Sequence, residues 1–184
     1  LNVDLSGDNP FQSTQQVNNL LDRAKQALAD PNRTAAYLVT TGDESAIATA
    51  RYLWGSSQQI GLTVGGVIVN QASVTEAIAA DFEPLVAVSV PAIGDNNWQS
   101  LMDALPDFSE ATKAPKPIDI NIAQRQVSLF LPGFDKKEIK LIQSGPEVTI
   151  EAGDQRRNIL LPPALTGKSV TGAKFQNGYL IISF

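Results

Sequence analysis

Apolar positions follow a helical period through the first part of the chain and a strand period through the last. That change of rhythm divides the molecule. From Pro10 to Ala29 the apolar residues Phe11, Val17, Leu20, Leu21, Ala24 and Leu28 recur at three- and four-residue steps, which predicts an amphipathic helix. Asp8-Asn9-Pro10 offers a cap and a proline at the first helical position, and Asp30-Pro31-Asn32 stops the helix. The unbroken apolar run 35–40 predicts a buried strand. Thr41-Gly42-Asp43 then turns the chain, and Asp43 or Thr41 caps a helix reaching about Ile60, with Gly61 as its left-handed stop. Val64–Val69 is a second buried strand, so strand, helix and strand form a βαβ unit with parallel strands. A short helix at 74–82, a strand at 85–90 and a helix at 97–105 follow. Residues 1–105 therefore read as α/β, the carboxyl half of a doubly wound, mainly parallel sheet.

Pro106, Pro115 and Pro117 punctuate a stretch with little periodicity, so 106–117 is expected to be an extended, proline-rich linker. Beyond it, short β-branched and apolar runs are cut repeatedly by Gly, Pro or Asp. They predict strands near 126–131, 138–143, 147–152, 156–161, 170–175 and 179–184, which is a small all-β sandwich over 118–184. Gly153-Asp154 joins two of them as a tight hairpin. A module this small buries little core, so docking on the α/β part or on a partner is expected to support it.

Composition removes several chemistries. The 184 residues contain no cysteine and no histidine, which excludes disulfides, thiolate chemistry and imidazole acid–base catalysis. The longest apolar run, Leu62–Val69, is too short to span a bilayer, and no amino-terminal signal pattern is present, so no stable membrane insertion is expected. A cytoplasmic setting is the default, with plastid stroma as the alternative. Residues 1–112 carry 13 acids and 4 bases, while residues 113–184 carry 6 acids and 10 bases. The acidic first part argues against a nucleic-acid partner, and the mildly basic second part reads as solvated surface. The chain opens Leu1-Asn2-Val3 without an initiator methionine, which leaves a fragment and a processed product open.

Few motifs carry chemistry. Gly167-Lys168-Ser169 imitates the end of a phosphate-binding loop, but position 162 is proline and strand-like residues follow, so it reads as a turn. Asn32-Arg33-Thr34 is a chance glycosylation sequon. Asn70 and Gln71 end a buried parallel strand, where open α/β sheets bind ligands, and an asparagine there offers one donor and one acceptor to an adenine edge. Starting the turn is an equal role for Asn70. Pro91, Ala92 and Ile93 in Val90-Pro-Ala-Ile-Gly94 end the next strand, either wrapping a base by apolar contact or only turning. The apolar stripe of helix 10–29 is read as packing on the sheet, with a client-binding face as the alternative. No catalytic and no metal-ligating residue is assigned.

Leu131-Pro132-Gly133-Phe134, Val148-Thr-Ile-Glu151, Arg156-Arg157, Leu161-Pro162 and Asn177-Gly-Tyr-Leu180 together resemble the α-crystallin domain of small heat-shock proteins. The short hairpin at Gly153-Asp154 leaves no room for the long exchanged strand of dimerising members. The α/β part resembles the carboxyl half of the ArsA and tail-anchored-protein-targeting ATPase family. That likeness rests on Ala35–Thr41, Gly61–Gln71 and Leu85–Gly94, and some members of the family carry an appended α-crystallin-like domain. The resemblance implies a P-loop NTPase fold and an adenine site at Asn70, Gln71, Pro91, Ala92 and Ile93. It also implies ATP with Mg²⁺, a protein client and the option of a homodimer. The phosphate-binding loop and catalytic carboxylate of such enzymes lie in an amino half, so ATPase activity is expected when the chain is joined to that half. The zinc-binding and arsenite-binding cysteines of the family are absent, and Met102 is the single methionine. The alternative is a non-enzymatic, chaperone-like binding scaffold.

Overall fold

The computed structural model describes residues 10–93 and 98–184, with side chains from residue 15 onward. Asp8, Asn9, Gly94, Asn97 and the Phe11 side chain lie outside the described residues.

Helix α1 (Pro10–Ala29) leads through a turn into β1 (Ala36–Thr40), α2 (Glu44–Gln59) and β2 (Val64–Asn70). Helix α3 (Glu76–Asp81), β3 (Ala87–Val90) and α4 (Trp98–Ala104) follow. The three strands form one parallel sheet in the order β1-β2-β3. β2 is central and its apolar residues are covered on both faces, as its continuous Val/Ile run requires. Asp43 is the N-cap of α2, its carboxylate accepting from the Ala46 N–H at 3.0 Å. Leu38, Ala50, Trp54, Val64, Val67, Val69, Ile78, Phe82 and Leu85 make the core between the sheet and its helices.

The second module opens with β4 (Ile118–Asn121) and β5 (Gln126–Phe130), then β6 (Ile139–Ser144), β7 (Glu147–Ala152) and β8 (Gln155–Leu160). It closes with β9 (Gly172–Gln176) and β10 (Tyr179–Ser183). Two antiparallel sheets, β4-β5-β10-β9 and β6-β7-β8, enclose a core of Val127, Leu129, Leu131, Val148, Ile150, Leu165, Leu180 and Ile182. The hairpin between β7 and β8 turns at Gly153, with φ +56°. β4 lay outside the expected strands, because Ile118-Asp-Ile-Asn is too short to show a period.

The edge strand β1 is less buried than its apolar run predicts, with Val39 64% exposed. Segment 106–117 is not extended: Phe108–Lys113 forms a 3₁₀ helix that lies against β2 and buries Ala111 to 1% exposure. Gly65 permits this, since a Cβ there would stand 2.7 Å from the Ala111 Cβ. Tyr37 meets Phe108 edge-on at 4.8 Å and completes the contact. Helix α1 forms as its period requires, but its apolar stripe is not packed: Val17, Leu20, Leu21 and Leu28 are 50–68% exposed. Periodicity identifies the apolar face and says nothing of what covers it.

The modules meet along a seam. Successive β5 side chains alternate, so Leu129 enters the sandwich while Phe130 leaves it. Phe130 is nevertheless buried, because Trp54 of α2 covers it at 5.5 Å between ring centroids, and its cross-strand neighbour Tyr179 lies 4.7 Å away. Gly55 lets α2 approach this closely, since a Cβ there would stand 2.5 Å from the Pro132 carbonyl oxygen.

Candidate functional site

Three strands ending side by side create a crest at the carboxyl edge of the parallel sheet. β1 ends at Thr40 and runs through Thr41-Gly42-Asp43 into α2, β2 ends at Asn70, and β3 ends at Val90. Asn70 stands in register with Val90, and the Gln71 N–H donates to the Val90 carbonyl at 2.9 Å. Gln71 itself adopts φ +57°, a left-handed conformation that turns the chain sharply after the strand. Ser89 Oγ donates to the Ala72 carbonyl at 2.7 Å, tying the 71–75 loop to β3. A Cβ on Gly42 would touch the Ala72 Cβ at 3.1 Å, so the loop after β1 adjoins the same loop.

The residues singled out from sequence fall together here. Asn70 is half-buried, and its side-chain amide has no hydrogen-bond partner among the described residues. Gln71 is exposed beside it. Pro91 follows Val90 directly, and Ala92 and the 44%-exposed Ile93 continue the same loop outward.

Thr41 and Asp43, capping candidates by their sequence position, also stand on this crest. The position at the end of β1 was the signal that could have included them. The Thr41 hydroxyl donates to one Asp43 oxygen, while the Ser45 hydroxyl and Ala46 N–H donate to the other. These bonds, led by Thr41, lower the Asp43 carboxyl to about 2, so it is ionised at any ordinary pH. No Lys or Arg occurs in 40–50, 70–76 or 89–93. The crest offers amide and apolar groups beside a carboxylate, a set suited to the edge and face of a neutral heterocycle and unsuited by itself to phosphate. Among the described residues no cluster of acidic side chains could hold a metal ion. No helix of the described residues is long and apolar enough to cross a membrane.

Residues 123–184 match the family model of the HSP20-like domain found in ArsA. The β module is similar to that domain. A curated relative, an uncharacterized protein of Streptomyces coelicolor, is 32% identical over 78 residues, covering 41% of this chain. The chain spans 20% of the length of that relative. The HSP20-like module is thus of the kind joined to ArsA-type proteins, and it stands here behind a parallel α/β sheet.

Proposed function

We propose that residues 10–93 supply the adenine-binding edge of an ArsA-type ATPase, with the HSP20-like module as a chaperone-like attachment that handles a protein client. The observation that carries this reading is the unpartnered amide of Asn70 at the carboxyl end of β2, one strand from the Pro91–Ile93 loop. Asn70 would take the adenine edge through its donor and acceptor, and Gln71 flanks it. Pro91, Ala92 and Ile93 would cover a face of the base. When bound with Mg²⁺, ATP supplies a transferable phosphoryl group, and enzymes handle it chiefly by positioning and by neutralising its charge. These 184 residues contain no phosphate-binding loop and no basic residue on the crest, so that task falls to other parts of the protein.

The test is nucleotide binding by the full-length protein. Asn70→Ala should weaken ATP by roughly tenfold, the scale of one or two lost hydrogen bonds, and should narrow its preference over GTP. Calorimetry giving the same ATP and GTP affinities before and after the change would remove Asn70 from the site.

A second reading is a non-enzymatic, client-binding scaffold, favoured by the uncovered apolar stripe of α1. It predicts suppression of client aggregation by the whole chain without nucleotide. Failure of the folded chain to suppress aggregation would exclude it.

A further inference from the structure

The opposite end of β2 from Asn70 holds a second feature that the crest does not use. Arg157, on β8, turns its guanidinium toward the α/β module and lies half-buried at the seam. One terminal nitrogen donates to the Gln58 carbonyl at 3.0 Å, and the other lies against Gly61, 3.3 Å from where a Cβ would sit. No carboxylate among the described residues pairs with it, and burial lowers its pKa with no compensating charge. A guanidinium withdrawn from water without a counter-charge is costly, and the usual resolution is an anion.

A hollow of about 470 Å³ opens beside this group, lined by Arg157, Lys116, Thr63, Thr112, Gly61 and Asp30 among others. Lys116 brings a second cation from the segment between the modules. Thr63 is 1% exposed, and its hydroxyl has no partner among the described residues. Asp30 is the one carboxylate among the described residues of the lining. It is already engaged, since its Oδ1 accepts from both the Asn32 N–H at 3.0 Å and the Asn32 side-chain amide at 2.9 Å.

We infer that this hollow is a binding site for a small oxyanion, a phosphate or carboxylate group, held between Arg157 and Lys116 at the seam of the two modules. Arg157 keeps donors free beyond the one given to Gln58, and its planar fork suits oxygen pairs. Lys116, in the same lining, adds a point charge. Gln58, Gly61 and Thr63 come from the α/β module and Arg157 from the β module, so an occupant would also tie the modules together.

The test uses the whole chain, ¹⁵N-labelled, titrated with inorganic phosphate and separately with malonate at constant ionic strength maintained with chloride. Saturable shifts at the Gly61, Thr63 and Thr112 amides are expected with at least one anion, and the stronger of the two identifies the class. Arg157→Lys and Lys116→Ala should each weaken that binding by roughly tenfold, the scale of a lost charge-assisted hydrogen bond. Lys116 is exposed, so its variant folds even if Arg157 proves indispensable to the seam. Non-saturating shifts spread over the basic surface, or unchanged affinity in Lys116→Ala, would overturn the site. Neither result depends on Asn70, so the nucleotide reading stands or falls separately.

Discussion

Trp54 and Phe130 face each other across the seam with ring centroids 5.5 Å apart and planes inclined at 73°. One belongs to a helix of the parallel sheet and the other to the outer face of a sandwich strand. Phe82 extends the aromatic row on one side at 6.2 Å from Trp54, and Tyr179 on the other. Through this row the HSP20-like module, with a small core of its own, shares the core of its neighbour.

Trp54→Ala and Phe130→Ala should each destabilise the chain by about 3–5 kcal/mol, as expected for large aromatic truncations. Their double-mutant cycle in urea denaturation should return a coupling of roughly 0.5–1.5 kcal/mol beyond burial. Strictly additive losses would mean that the two rings do not meet in solution.

Gly55→Ala opposes two effects. Alanine in a helix interior gains up to about 1 kcal/mol over glycine. The added methyl, however, would stand 2.5 Å from the Pro132 carbonyl oxygen and 2.6 Å from the Phe134 ring. Backbone cannot yield as a side chain can, so a net loss of roughly 1–3 kcal/mol is expected. A raised denaturation midpoint would show that α2 does not approach the module this closely.

Helix α1 leads to a different kind of outcome. Leu20 and Leu21 are 68% and 52% exposed, so Leu20→Gln with Leu21→Gln should leave the unfolding midpoint unchanged within about 0.5 kcal/mol. Self-association at high concentration should fall, as read by light scattering. A large stability loss would show that the stripe is packed after all.

Stability should depend on pH at the acid end. The Asp43 carboxyl is lowered to about 2 from 3.8, so the folded chain binds fewer protons than the unfolded one through that range. Its contribution is complete above about pH 5 and is lost as pH falls through 4 toward 2. Asp30 and Asp107, each lowered by hydrogen bonds from the side chain and backbone N–H of Asn32 and Ser109 respectively, act in the same direction. With no histidine in the chain, denaturation midpoints between pH 5.5 and 7 should be flat. Asp43→Asn should reduce the acid slope, and an unaltered slope would remove Asp43 from it.

The candidate site was legible because it depends on strand ends. A buried run ending in Asn70 and another ending before Pro91 imply neighbouring parallel strands, and the register of Asn70 with Val90 realises that neighbourhood. Thr41 and Asp43 were harder to assign, because a capping residue and a crest residue have the same local signature. Arg157 was hidden for another reason: in Arg156-Arg157 nothing distinguishes a solvated cation from one turned against another module.

Local periodicity by itself determined the α-helices, the three parallel strands, the sandwich strands other than β4 and the glycine-marked turns, because those depend on neighbours within a few residues. Tertiary structure decided the fate of each apolar and charged face. It buried Phe130 on the outer side of its sheet, left the stripe of α1 uncovered, folded the proline-rich segment onto β2 and set Arg157 and Lys116 in one hollow with no carboxylate among the described residues paired to Arg157. Burial depends on which distant surface arrives, and a period of two or 3.6 residues carries no record of that surface.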